Sequence, residues 1–210
     1  MPVKLFILGR PGSGKSTASY CITGLAWRKG WFVIRISDYK ILWEMYQADA
    51  DHKQFIPTQE YKGFDVLDLS VLDMTLKELE RQAQIHPSFE AEKGLVIIEF
   101  ARDDYEKALK QFSPNFLQDA YFLFIEADVE TCIQRIYERA TRPLTIDDSF
   151  VSDYVLRNYY HKDSREYIAS QLEADHKISK LIEIIDNMGS RQDFSEQVQR
   201  FAAVMLEREI

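Results

Sequence analysis

Gly9-Arg10-Pro11-Gly12-Ser13-Gly14-Lys15-Ser16 follows a short apolar run, Val3 to Leu8. After it, Ala18, Cys21, Ile22 and Leu25 recur at helical spacing, with Gly30 available as a stop. The octet reads G-x-x-x-x-G-K-[ST], and a buried parallel strand before it with a helix after it is the setting such a motif needs. Gly12 and Gly14 lack a Cβ and tolerate positive φ, so successive amide N–H groups turn inward and form a nest around a phosphate. The start of the helix adds its own unpaired N–H groups and the positive end of its dipole. On this reading Gly9, Gly12, Ser13, Gly14, Lys15, Ser16 and Thr17 hold the phosphates of a nucleotide. Lys15 reaches the β- and γ-phosphates, and the Ser16 hydroxyl holds Mg²⁺.

Outward from the loop, the 210 residues suffice for one sizeable core, and the chain reads as a single domain over 1–210. Hydrophobic residues make up 46% and charged residues 29%, an ordinary globular balance. The formal net charge of −8 argues against general nucleic-acid binding, because no basic surplus exists to neutralise a phosphate backbone. Cys21 and Cys132 lack C-x-x-C spacing and read as small buried hydrophobes of a reducing compartment, and His52, His86, His161 and His176 show no metal-ligand spacing. No signal peptide or membrane-spanning run is visible, so the expected location is the cytoplasm.

Strands and helices alternate along the chain. Trp31 to Ile36 forms a second strand ending at Ser37-Asp38, and Gly94 to Glu99 forms a third, closed by a carboxylate. Asp38 stands at the carboxyl edge of a parallel sheet, where open α/β folds meet their ligands, or alternatively is the N-cap of a helix over Tyr39 to Gln47. Residues 48–64 read as a loop, and Leu69, Leu72, Leu76 and Leu79 mark a helix of about five turns. The span 39–93 exceeds a plain crossover and suits an acceptor-binding insertion. Glu99, beside the loop, can hold the water shell of Mg²⁺ or accept a proton. Tyr121 to Glu126 is a fourth strand, and Asp128 caps a helix that carries Cys132, Ile133, Ile136 and Tyr137 inward. Arg135 and Arg139 share a face of it, aimed at one anion or else paired in solvent with Glu130 and Glu138. A loop at 143–149 holds Asp147-Asp148. A tyrosine-rich helical stretch (Tyr154 to Arg165), a fifth strand (Lys180 to Asp186) and a last helix (Phe194, Val198, Phe201, Met205) complete a five-stranded parallel sheet covered by helices on both faces.

In this order the segments resemble the P-loop kinases of the nucleoside-monophosphate-kinase-like group, which includes adenylate, shikimate and gluconate kinases, polynucleotide kinase and chloramphenicol phosphotransferase. The resemblance implies a P-loop NTPase fold with an acceptor-binding insertion and a lid over 139–165, using ATP and Mg²⁺. By that resemblance Ser37-Asp38 matches the acidic strand end that serves as base toward an acceptor hydroxyl. Glu99-Phe100-Ala101-Arg102 is similar to the Gly-Phe-Pro-Arg segment whose arginine binds an acceptor phosphate. Arg135-x-x-x-Arg139 resembles the lid-entry helix, with Arg139 over the adenine and on the phosphates. Arg142, Asp147-Asp148 and Arg157 resemble the lid, and Asn187 lines the adenine pocket. The implied catalytic set is Lys15, Asp38, Glu99, Arg102, Arg139 and Arg142, with Ser16 and Glu99 on the metal. The acceptor is a small molecule, its reacting group expected to be a hydroxyl. Two alternatives stay open: a nucleoside or nucleoside monophosphate kinase, and an ATP-binding switch with slow hydrolysis.

Overall fold

The computed structural model describes residues 2–61, 63–86, 93–142, 150–162 and 164–209. Five strands, β1 (Val3–Leu8), β2 (Phe32–Ser37), β5 (Gly94–Phe100), β6 (Ala120–Glu126) and β7 (Ile182–Asp186), form one sheet in the order β2-β5-β1-β6-β7 with every pairing parallel. The sequence of β1 explains its central place. Val3, Leu5 and Ile7 project to one face and Phe6 and Leu8 to the other, and both sets are buried, as a strand covered on both sides requires. On the first face α1 (Lys15–Arg28) and α10 (Arg191–Glu207) pack through Ala18, Ile22, Ala26, Val198 and Phe201. On the second, α3 (Ser70–Ile85), α4 (Tyr105–Leu109), α5 (Pro114–Gln118), α8 (Arg165–Ser170) and α9 (Leu172–His176) contribute Leu76, Leu79, Tyr105, Phe116, Ile168 and Leu172. Phe6 stacks on Phe122 at 5.0 Å and meets Phe112 edge-on at 5.1 Å, so aromatic packing fixes that layer.

The strand order reverses at β1. Its carboxyl end, where the glycine-rich octet begins, therefore opens into the crevice in which doubly wound sheets bind ligands. α6 (Val129–Ala140) borders that crevice and is capped as expected, with Asp128 Oδ1 accepting from the Thr131 N–H at 2.6 Å.

Several expectations need correction. The span 48–64 is not a plain loop: β3 (Phe55–Pro57) and β4 (Phe64–Val66) form a small antiparallel hairpin whose Phe55 and Phe64 pack beneath α2 (Asp38–Ala48). Ser37, not Asp38, is the N-cap residue of α2, and Asp38 is its first helical residue. The tyrosine-rich stretch is no single helix. It breaks after α7 (Asp153–Asn158) and resumes at α8. Asp147-Asp148, with the rest of 143–149, lies outside the described residues, as does 87–92 within the insertion.

Candidate active site

The octet forms the expected cradle. Gly12 and Gly14 sit at φ +82° and +110°, and a Cβ on Gly12 would lie 2.6 Å from the Cys132 carbonyl oxygen, while one on Gly14 would lie 2.5 Å from Asn187 Nδ2. Glycine is therefore required at both by backbone angle and by space. The loop is braced from three directions. Asn187 Nδ2 donates to the Ser13 carbonyl at 2.7 Å. The buried Tyr105 hydroxyl accepts from the Gly9 N–H at 2.7 Å, and burial raises its pKa so that it stays a neutral phenol. Arg10 donates to the carbonyls of Tyr160 (2.8 Å), Lys162 (2.7 Å) and Ala127 (3.0 Å), which ties the loop to the segment following α7. The resemblance points to Asn187 as a residue of the adenine pocket, not as a brace of the loop, and Arg10 and Tyr105 carry no signal in the sequence.

Lys15 lies across this cradle with its ammonium donating to the carbonyls of Gly9 and Arg10, both at 2.9 Å. The residue as a whole is half-buried, but the ammonium is enclosed. Burial lowers its pKa to about 8, against the pull of Asp38 and Glu99 in the other direction. Ser16 starts the helix and its hydroxyl is 3.3 Å from Glu99 Oε2, while Thr17 is exposed at the cavity lining. Glu99 does not end its strand in solvent. It is buried and accepts from Arg35 Nη2 at 2.8 Å and Nε at 3.0 Å, and Arg35 in turn lies 4.1 Å over the ring of Tyr20. Arg35 is the one charged residue in an apolar strand, the only sequence signal that it carries a role.

Asp38 faces the loop from the start of α2. Its Oδ2 accepts from Arg102 Nη1 at 2.5 Å and from the Ala101 N–H at 3.3 Å. Arg102 is buried and stands behind the cavity wall, donating also to the carbonyls of Ala101 (2.6 Å) and Leu72 (2.8 Å). Burial works against its charge most, but the groups around it, the Asp38 carboxylate first among them, together outweigh burial and the guanidinium pKa is raised. The structure thus gives Arg102 a carboxylate partner at the place where the family resemblance implies an acceptor phosphate.

On the facing helix, Arg135 and Arg139 both line the cavity. Arg135 Nη2 donates to the Asn187 carbonyl at 2.8 Å, and its Nη1 is buried with no hydrogen-bond partner among the described residues. Arg139 lies near enough to both Lys15 and Tyr39 to influence the titration of each. Glu130 pairs instead with Arg157, which is exposed and also bonds Asp153 at 2.6 Å, so Arg157 belongs to a solvated surface network. Arg142 is exposed just past the end of α6 and does not line the cavity.

These groups surround one cavity of about 970 Å³, a volume within the range of small-molecule and cofactor sites. The chemistry of its donors fits a magnesium nucleotide: a cradle that a Cβ would fill, an enclosed ammonium, and a buried guanidinium nitrogen without a partner. Mg²⁺ in such sites takes one or two protein ligands and completes its shell with phosphates and water, and Ser16 and Glu99 supply that number. Among the described residues no cluster of three or more potential metal ligands occurs, and no helix is long and apolar enough to cross a membrane.

No protein family matches the sequence, and no curated protein does. Solved structures do match the fold over nearly the whole chain. A gluconokinase from Sinorhizobium meliloti 1021 is 15% identical with a TM-score of 0.52, covering 99% of this chain and 95% of its own. A shikimate kinase from Acinetobacter baumannii in complex with shikimate is 15% identical with a TM-score of 0.53, covering 97% and 94%. Kti12 from Chaetomium thermophilum in complex with ADP-AlF3 is 14% identical with a TM-score of 0.56, covering 96% and 98%. These likenesses, with the five parallel strands in this order and the glycine-rich cradle at the end of the first, show that the chain shares the α/β fold of these structures.

Proposed function

We propose that the protein is a phosphotransferase that moves the γ-phosphoryl group of MgATP to a hydroxyl of a small-molecule acceptor. The observation that carries this reading is Asp38, a carboxylate held in one orientation by Arg102 and facing the phosphate cradle across a single cavity. A nucleotide switch that only binds and hydrolyses ATP has no use for a positioned carboxylate on the side away from the nucleotide.

In this reading the Gly12–Ser16 amides and Lys15 bind the β- and γ-phosphates, and Ser16 with Glu99 would hold Mg²⁺, which would supply charge neutralisation on the phosphates. Asn187 and Arg135 border the base. The acceptor oxygen forms a bond to the γ-phosphorus as the bond to the β–γ bridging oxygen breaks. The hydroxyl proton passes to Asp38, and the products are a phosphate monoester and ADP. Arg139, whose charge is felt by both Lys15 and Tyr39, neutralises the transferring group in this reading. Arg102 acts through Asp38, whereas Arg142, exposed outside the lining, has no part in this account.

The test is ATP consumption. Lys15→Ala is expected to abolish it with the fold intact by circular dichroism, and consumption equal to wild type removes the reading. Asp38→Asn is expected to lower kcat by about a hundredfold or more with nucleotide affinity kept, the usual scale for a lost general base. Little change in kcat would point instead to an acceptor that is already an anionic phosphate.

A further inference from the structure

The cavity has two chemically different sides. Its cationic lining groups, Lys15, Arg135, Arg139 and Arg191, stand on the loop, α6 and the start of α10. The insertion side is built from Tyr39, Leu42, Phe64, Leu72, Tyr159 and Tyr160. Tyr39 and Phe64 stack at 5.6 Å with their planes 13° apart. The phenols are neutral, since burial pushes Tyr39 up to about 12 and raises Tyr160 well above its ordinary value. Among the described residues no cation stands on this side itself: Arg102 spends its Nη atoms on Asp38 and two carbonyls behind the wall, and Arg139 reaches Tyr39 only from α6.

One charged group on this wall is unaccounted for. Asp65, on β4, lines the cavity and is half-buried, and its carboxylate has no hydrogen bond or ion pair among the described residues. Asp38 and Glu99, at the carboxyl ends of β2 and β5, are each matched to an arginine. A half-buried carboxylate without a partner attracts a cation and repels an anion more strongly than one in bulk water, because the medium around it screens less. The aromatic rings that line the same side of the cavity favour the same sign of charge.

Resting on the phosphotransferase reading above, we propose that the acceptor is a hydroxyl compound with an apolar ring body and a protonated amine, the amine taken by Asp65 and the ring by the Tyr39–Phe64 wall. Asp65 also turns away carboxylates and phosphate monoesters of the same size, which sets this site apart from one built for a nucleoside monophosphate or a sugar acid. The reaction is the one already written: the hydroxyl gains the phosphoryl group, ADP leaves, and the amine keeps its proton throughout.

The experiment compares three probes against the full chain saturated with Mg²⁺ and a non-hydrolysable ATP analogue: phenylethanolamine, mandelate, which carries a carboxylate on the same hydroxybenzyl body, and AMP. Nucleotide association is first established by isothermal titration. Affinities are then read from titrations of each probe and from the rise in Tm. Phenylethanolamine is expected to bind at least about tenfold more tightly than mandelate, with AMP no better than mandelate. In Asp65→Asn the preference for amine over carboxylate is expected to fall to about one, with nucleotide affinity unchanged. Mandelate or AMP binding as well as the amine, an undiminished preference in Asp65→Asn, or no binding by any probe overturns the proposal. Absence of nucleotide association would instead remove the phosphotransferase reading on which it rests, so the two failures are distinct.

Discussion

Replacing Arg102 with methionine separates two roles that the sequence alone leaves together. The Arg102 side chain is 4% exposed and its partner Asp38 13%, with 2.5 Å between Nη1 and Oδ2. Methionine keeps most of the length and apolar volume but withdraws the charge and the donors to the Leu72 and Ala101 carbonyls. Removing one member of a buried ion pair leaves the other as an uncompensated charge, at a cost of about 3–5 kcal/mol. For a chain of this size each kcal/mol lowers Tm by roughly 2–4 °C. Thermal unfolding followed by circular dichroism should therefore show Arg102→Met melting roughly 6–20 °C below wild type, with a matching fall in the denaturant midpoint. Asp38→Asn in the same background removes the stranded charge, so the double variant should cost less than the sum of the two single changes. An arginine whose work is to bind a phosphate predicts the opposite pattern: lost turnover, with Tm within about 2 °C of wild type and additive single changes. That result would refute the assignment of Arg102 to holding Asp38.

The Lys15 ammonium has a pKa of about 8, against an ordinary 10.5. Below about 8 it is charged in both the folded and the unfolded chain and contributes no pH dependence. Between about 8 and 10.5 the unfolded chain holds this proton more often, so folded stability should gain from this group as pH rises through that window. Phosphates favour the charged form, so nucleotide binding near pH ~9 should take up close to one proton, read by calorimetry in buffers of different ionisation enthalpy, with none near pH ~7. Equal heats across buffers at the higher pH would mean that the ammonium does not face the phosphates. Tyr105→Phe removes the acceptor of the buried Gly9 N–H, which should lower stability by about 1–3 kcal/mol and weaken nucleotide binding. Unchanged affinity would show that the cradle does not depend on this brace.

What the sequence revealed was written in consecutive residues. The cradle, the five strands and the last helix each occupy one unbroken stretch, so a motif or a periodicity exposes them. The β3–β4 hairpin was hidden because three residues are too few to show alternation, and Pro57 argues against a strand. The end of the tyrosine-rich helix was hidden for a tertiary reason. The carbonyls of Tyr160 and Lys162, which a continuing helix would use, are taken by Arg10, 150 and 152 positions earlier in the chain. The same distance effect concealed Tyr105 on Gly9 and Arg35 on Glu99, 96 and 64 positions apart. Asp38 was legible as a position, at the end of a strand. Its bond to Arg102 was not, since a segment resembling a phosphate-binding one carries no mark of the direction in which its guanidinium points.

For an acidic chain to hold a polyanion, as the proposed function requires, it needs a local exception to its overall charge of −8. Among the described residues, four cations (Lys15, Arg135, Arg139, Arg191) and four carboxylates (Asp38, Asp65, Glu99, Glu138) line the cavity, and on that balance alone the site would be neutral. Asp38 and Glu99 are answered from behind the wall, by Arg102 and Arg35, neither of which lines the cavity. The lining cations are thereby released from those two acids, and the cradle end is left positive. No such arginine stands behind Asp65, so the insertion end keeps its negative charge. A field that changes sign along one cavity favours a triphosphate at one end and an ammonium at the other, and it penalises the reverse placement of either. Because Arg102 is buried and Arg35 largely so, salt screens their contribution less than it would a surface pair, and the polarity belongs to the fold rather than to the medium.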